Sequence, residues 1–152
     1  MIAFWTLLHG ILAIVLIGAV THQGLTVWRR PGPAHLFINR FRAIPAARFA
    51  TSIIVLYVLT SLLGGYIYPT YVLDVKGSLA DSGQRLAVGV FQLKEHLAVI
   101  TCGMLPVYWH FWHSVPPGEG VATRRFLTTL VMATVWWNLV IGHVLNNIRG
   151  LV

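Results

Sequence analysis

Four long runs of apolar residues, separated by short polar segments, form the main pattern of this chain. They extend from about Phe4 to Trp28, Phe49 to Tyr68, Val90 to Trp112 and Phe126 to Asn146. Each run is long enough for the roughly 20 helical residues that cross a bilayer. Because the bilayer core holds no water, each should be a helix that satisfies its own backbone groups. The pattern predicts an all-α, four-helix integral membrane bundle that forms a single domain, with Pro69 ending the second span.

The composition supports a membrane protein. Of the 152 residues, 57% are hydrophobic and only 10% are charged, and the mean hydropathy is +0.73. Soluble domains carry roughly a quarter charged residues. The single cysteine, Cys102, excludes an internal disulfide and a Cys-rich metal site. The first run lacks a basic start and a small-residue cleavage site before Arg29, so we interpret it as a retained span rather than a signal peptide.

The loop charges predict the orientation of the bundle. The loop after the first run contains five arginines and no acidic residue, and the loop before the fourth ends in Arg124 and Arg125. The remaining loop balances two aspartates against one lysine and one arginine. By the positive-inside rule, both termini should lie on the outer, periplasmic side of a bacterial inner membrane. The net charge of +7 is explained by this bias and by the anionic lipid headgroups that basic loops contact, so no nucleic-acid partner is needed to explain it. Residues 32–43 are expected to form a short interfacial helix.

Six of the seven histidines sort by depth into two groups. The predicted outer group is His9, His96 and His143, and the predicted inner group is His22, His110 and His113. Ionisable residues inside spans are costly and usually indicate function. Imidazole is a common axial ligand of haem iron. Of the inner group, His113 is expected to be solvated, as is His35 in the first loop.

The histidine spacing in the third span is the strongest signal. His96 and His110 are 14 positions apart, which places them within roughly 40° of one face and about 21 Å apart along the axis. One helix can therefore serve two haems stacked across the bilayer. His9 and His22 are 13 positions apart and more than 120° apart on a straight helix, so we expect that both cannot face the same neighbour unless the helix is distorted. We therefore favour His143 as the partner of His96, with His9 as the alternative. The second predicted pair is His22 with His110.

This pattern resembles the four-helix membrane cytochromes b, in which histidines 13 or 14 residues apart on two parallel helices hold two b haems. The resemblance covers the first and third spans and His143, and it rests on histidine spacing and topology, not on extended sequence. It implies one or two bis-histidine b haems, transmembrane electron transfer and quinone as a partner. Glu95 is then a candidate acceptor for protons from quinol. Alternatively, Lys94 and Glu95 simply extend to the interface. Likewise Tyr68 and Tyr71 fit an aromatic belt, or else a quinone contact.

A second resemblance is to small four-span membrane proteins linked with cytochrome oxidase maturation. It rests on His96 early in the third span and on Arg124 and Arg125 at the start of the fourth. A third alternative is a single metal ion, such as copper, bound by His9, His96 and His143.

The leading hypothesis is a b-type haem electron-transfer subunit of a larger respiratory or photosynthetic complex, exchanging electrons with quinone. The alternative is a cofactor-free accessory subunit or assembly factor of a membrane redox complex.

Overall fold

The structure, a computed structural model, describes residues 2–28 and 46–149, and every regular element in these ranges is helical. In chain order the elements are α1 (Ile2–Trp28), α2 (Ala46–Tyr71), a π-helical segment (Val72–Gly77), α3 (Ser78–Asp81), α4 (Arg85–His113) and α5 (Val121–Arg149). The predicted all-α class is confirmed. Most of the arginine-rich first loop, including the interfacial helix expected at residues 32–43, lies outside the described residues.

Within the described residues, four helical stretches are long and apolar enough to cross a membrane, as the sequence predicts for an integral membrane protein; the second joins α2, the π-helical segment and α3. Their bounds are Ile2–Trp28, Ala46–Asp81, Arg85–His113 and Val121–Ile148. Each contains one predicted span and continues beyond it. α4 ends shortly before Pro116 and Pro117, which lack the N–H groups needed to extend a helix.

Each long helix packs against two others. α1 contacts α2 and α5, and α4 contacts the same two helices, so α1 and α4 are diagonal neighbours that run in the same direction. Two indole hydrogen bonds join α1 to α5. Trp28 Nε1 donates to Thr129 Oγ1 at 2.8 Å, and Trp136 Nε1 donates to Thr21 Oγ1 at 3.0 Å.

The two ends of the bundle differ in what they carry. We name the end with the start of α1 and the last turn of α5 the terminal end, and the end with the Ser114–Gly120 loop the basic end. At the terminal end the chain turns back from α2 to α4 through the π-helical segment, α3 and Gly83. Gly83 has a φ of +75°, which favours glycine. Val75, Leu79 and Phe91 are buried there and form a small separate core.

The main core draws side chains from all four long helices. Its buried members are Leu16, Val20, Ala50, Ile53, Tyr57, Leu105, Tyr108, Leu127, Val131 and Val135. Lipid tails are as apolar as these side chains, so transfer from lipid to core contributes little. Close packing and interhelical hydrogen bonds stabilise the bundle instead.

The expectation that Pro69 ends the second span is wrong. α2 continues through Pro69 to Tyr71, and the π-helical segment follows directly. Pro69 removes one backbone hydrogen bond, to the carbonyl of Gly65, and spanning helices tolerate that loss. α4 likewise continues through Pro106.

Candidate functional site

At the basic end, the guanidinium of Arg124 holds the loop between α4 and α5. The side chain is buried because the loop folds around it. It donates hydrogen bonds to five backbone carbonyls, those of Phe111, Val115, Pro116, Pro117 and Glu119. These carbonyls belong to the last turn of α4 and to the loop, where no helical N–H reaches them. The cation also lies at the negative end of the helix dipole, so Arg124 has a structural role.

The next residue, Arg125, points about 100° away on α5. Its Nε donates to the Val27 carbonyl in the last turn of α1 at 3.0 Å, and its guanidinium lies 5.6 Å from the centroid of the Trp28 ring. The two adjacent arginines therefore stabilise the C-terminal ends of two different helices, α4 and α1.

A cleft of about 430 Å³ opens beside these arginines at the basic end. Its walls include Thr26, Trp112 and Val115. The donors of Arg124 are all bonded to backbone carbonyls, whereas the exposed Arg125 bonds to one carbonyl through Nε. Both arginines lie at the start of α5. We place the candidate site at the terminal end, where ionisable side chains lie within a predicted span.

At the terminal end, the side chain of Lys94 turns from α4 into the bundle. It is partly buried, and its Nζ lies 5.4 Å from the ring centroid of Tyr71 and 5.5 Å from that of Phe91. Lys94 is about 13 Å along α4 from its first residue, in the part of the helix that the sequence predicts to be the third span. An ionisable group within a span is a candidate functional residue.

The neighbouring residue, Glu95, faces α2. The Tyr68 phenol lies beside its carboxylate, and one carboxylate oxygen, Oε1, is buried without a hydrogen-bond partner among the described residues. Tyr68 is 42% exposed, so this region opens sideways to the membrane between α2 and α4. Those two helices pack less closely than the other neighbouring pairs. We name His9, Tyr68, Lys94 and Glu95 the terminal-end cluster.

His9 completes the cluster from α1. Its Nδ1 lies 3.0 Å from the Thr60 carbonyl of α2. The ring also packs closely over Gly64, where a Cβ would lie 3.2 Å from His9 Cε1. Contact with α2 therefore fixes the orientation of the imidazole.

His22, the second histidine of α1, is buried near the basic end. Its ring stacks on Phe49 of α2 with 4.0 Å between centroids and 21° between planes. The expectation that His9 and His22 cannot face the same neighbour is therefore wrong, since both contact α2. The two histidines are about 20 Å apart along α1. Because packed helices cross at an angle, α2 lies against one side of α1 near His9 and against a different side near His22.

The other four histidines in the described residues lie on the outside of the bundle. His96 and His110 of α4 and His143 of α5 are exposed. His113 is also exposed, but its Nε2 lies 3.0 Å from Thr51 Oγ1, so α2 provides it with a partner.

The bundle interior does not fit a haem held between the predicted histidine pairs. His22 is buried against α2 whereas His110 is exposed, so their rings do not meet in the core. His96 and His143 are both exposed. Within residues 2–28 and 46–149, no three His, Cys, Asp or Glu side chains form a group able to hold a metal ion. A haem ligand role for these histidines stays a prediction. Because His96, His110 and His143 are exposed, a haem bound by them would lie on the outer surface of the bundle.

A second polar group lies deep in the basic half. Gln23 of α1, Tyr108 of α4 and Thr128 of α5 are all almost completely buried, and the Tyr108 hydroxyl lies beside the other two side chains. Gln23 Nε2 also donates to the Ala46 carbonyl of α2 at 3.0 Å. This group brings together all four long helices, as polar residues do in membrane bundles.

Sequence reasoning identified Glu95 and His9 as candidates but expected Lys94 to extend to the interface. A signal for its true placement was present. Lys94 follows the buried Phe91 by three positions and precedes the buried Thr101 by seven, which is the spacing of one helix face.

Comparison with known protein families, with curated proteins and with solved structures finds no match for this chain. The resemblances to membrane cytochromes b and to oxidase-maturation proteins therefore stay predictions, and the function is argued from the geometry of the site.

Proposed function

We propose that this protein is a membrane-embedded electron-transfer subunit that binds quinone or quinol at the terminal-end cluster. One observation carries the proposal. Lys94 and the buried Glu95 Oε1 lie in the predicted third span, at the end of the bundle that also carries His9, and the place opens to the bilayer next to the exposed Tyr68. A lipid-soluble quinone reaches such an opening from within the membrane.

The cluster has the groups that a quinone headgroup needs. The Lys94 ammonium is a hydrogen-bond donor for a quinone carbonyl oxygen, and the buried Glu95 Oε1 is an acceptor for a quinol hydroxyl proton. Tyr68 lies beside the carboxylate and orients it. Oxidation of quinol releases two protons and two electrons. Glu95 receives one proton, the second passes to water at the terminal end, and the two electrons pass one after the other to a one-electron acceptor in the same assembly.

A b-type haem, when bound, supplies such one-electron transfer. In this chain the residues that would hold it are His96 and His110 of α4 and His143 of α5, which are exposed on the outer surface. Binding there needs a neighbouring subunit, in keeping with a small chain inside a larger respiratory or photosynthetic complex.

Direct quinone binding tests the proposal. The affinities of short-chain ubiquinone and menaquinone analogues are measured for the purified protein in lipid nanodiscs. Glu95→Gln and Lys94→Met should each weaken binding at least about tenfold, since each removes a charged hydrogen-bonding group worth about 1.5–3 kcal/mol. Glu119→Gln makes the same chemical change in the loop at the basic end and should bind like the wild type. If neither analogue binds the wild type, or if Glu95→Gln binds equally well, the terminal-end cluster is not a quinone site.

The second candidate is a cofactor-free accessory subunit or assembly factor. The contacts of His9 and His22, the two histidines of α1, with α2 favour this candidate, because these imidazoles pack against protein rather than facing a cofactor. A reduced-minus-oxidised spectrum of the complex isolated from its native membrane, with a pyridine haem assay, separates the two. An α band that disappears in His96→Ala supports the electron carrier, whereas a colourless complex with full subunit occupancy supports the accessory subunit.

A further inference from the structure

The cleft at the basic end of the bundle has no part in the proposed quinone chemistry. Its volume is about 430 Å³, and its walls come from the ends of all four long helices and from the loop between α4 and α5. Binding sites for small molecules are typically clefts of roughly 300–1,000 Å³ with mostly apolar walls and a few polar groups. Ala47, Val115 and Val121 are among the apolar residues here, and two arginines supply the charge.

Of the two arginines that line the cleft, Arg125 has hydrogen-bonding capacity to spare. Its Nε donates to the Val27 carbonyl, and its guanidinium lies 5.6 Å from the centroid of the Trp28 ring. These two contacts orient the guanidinium, while its two terminal nitrogens make no hydrogen bond within the described part of the chain. Arg124, by contrast, uses all five of its donors on backbone carbonyls. Arg125 therefore presents a pre-oriented pair of donor groups at the cleft.

The charge around the cleft selects an anion. No acidic residue lines it, and a further arginine, Arg48, is exposed at the same end of the bundle. The loop charges predict that this end faces the cytoplasmic leaflet, which is rich in anionic lipids, and basic pockets between spanning helices on that side bind lipid headgroups. A phosphate group accepts two parallel hydrogen bonds from a guanidinium, the geometry that the terminal nitrogens of Arg125 offer.

We propose that the cleft binds the headgroup of one anionic phospholipid, with the phosphate on the terminal nitrogens of Arg125 and the glycerol against the apolar wall. Trp28, beside Arg125, is 60% exposed, and indole rings are typical of the membrane boundary. The acyl chains can therefore stay in the bilayer while the headgroup enters the cleft. The proposal is independent of quinone binding, because the terminal-end cluster lies at the opposite end of the bundle.

Lipid binding by the purified full chain tests the site. The protein is delipidated in detergent and titrated with phosphatidylglycerol or phosphatidylcholine, and bound lipids are counted by native mass spectrometry. One phosphatidylglycerol should bind per chain, at least about tenfold more tightly than the zwitterionic phosphatidylcholine. Arg125→Gln should weaken phosphatidylglycerol binding about tenfold, and Arg125→Lys, which keeps the charge but not the fork, should be intermediate. Arg48→Gln removes the same charge outside the cleft wall and should bind like the wild type.

A space-filling variant separates the cleft from the charge around it. Ala47→Phe keeps every arginine but fills part of the cleft, so it should weaken phosphatidylglycerol binding as Arg125→Gln does. Glycerol 3-phosphate, which has the phosphate but no acyl chains, should bind at least about a hundredfold more weakly than the lipid, because it lacks the apolar contact. A wild type that binds no phosphatidylglycerol overturns the proposal. Wild-type affinity in Arg125→Gln or Ala47→Phe also overturns it, as does glycerol 3-phosphate that binds as tightly as the lipid.

Discussion

Charged side chains at the two ends of the bundle differ in how many hydrogen bonds they make. At the basic end, the buried Arg124 donates to five carbonyls, and Arg125 bonds to a sixth at the end of α1. At the terminal end, Lys94 makes no hydrogen bond within the described residues, and a buried oxygen of Glu95 has no partner there either. The buried Arg124 is thus fully engaged at the basic end, whereas Lys94 and Glu95 keep unused hydrogen-bonding capacity at the terminal end.

This difference distinguishes charged residues that stabilise the fold from charged residues that are available for function. A buried charge whose donors are all engaged stabilises the fold, because it satisfies backbone groups that would otherwise be unpaired. A buried charge without such partners costs stability, and proteins accept that cost where activity requires it. Substitutions at the two ends should therefore have opposite consequences for stability.

The largest effect is expected for Arg124→Ala. It leaves several carbonyls of α4 and its loop without donors, and should lower the free energy of unfolding by about 3 kcal/mol or more. Thermal unfolding in detergent micelles measures the loss. Arg124→Lys keeps the charge but not the planar fork, so its stability should be intermediate. If Arg124→Ala were as stable as the wild type, the structural reading of the basic end would be wrong.

His22→Ala comes next, with an expected loss of about 1–2 kcal/mol, because it removes a stacked ring from the contact with Phe49 and leaves a cavity. His22→Phe retains the stacking and should recover most of the stability in the same unfolding assay. Recovery would identify His22 as a packing residue. If Phe fails to restore stability and a haem signal is lost as well, His22 is a ligand instead.

Arg125→Ala should have a smaller effect, about 0.5–1 kcal/mol, since its side chain is exposed and makes one bond to the end of α1. Unfolding of the single variant and of the double variant with Arg124→Ala shows whether the two losses add. Additive losses are expected because the arginines stabilise different helices.

The smallest effect is expected for Glu95→Gln and Lys94→Met. Each should leave the free energy of unfolding within about 0.5 kcal/mol of the wild type, or raise it, because each removes a charge that lacks full compensation. The unfolding assay used for Arg124→Ala serves here too. A loss as large as that of Arg124→Ala would make the terminal-end cluster structural and would remove the contrast between the two ends.

Much of the fold could be predicted because membrane insertion depends on local composition. Each predicted span lies within an observed helix, and only the ends differ. Pro69 was misjudged because a proline costs one hydrogen bond, which a long helix inside a membrane tolerates. The sequence could also rank Glu95 and His9 as candidates, because ionisable residues in apolar runs are conspicuous.

The composition of the site was harder to predict. On α4, Lys94, Glu95 and His96 are consecutive and point in three directions about 100° apart. The sequence favoured His96, which faces outward, and assigned Lys94 to the interface, whereas it turns inward toward Tyr71. The contact of both His9 and His22 with α2 depends on how two helices cross, which the spacing along one helix does not specify.

By itself, the sequence determined the four apolar segments that form helices long enough to cross a membrane in the described part of the chain, and it showed which histidine, lysine and glutamate residues fall within those segments. Hydropathy summed over some twenty residues is a property of each segment alone. Only the tertiary structure decided which of those side chains face the interior and which face outward. That choice depends on the rotation of each helix about its own axis, which is set by packing against its neighbours.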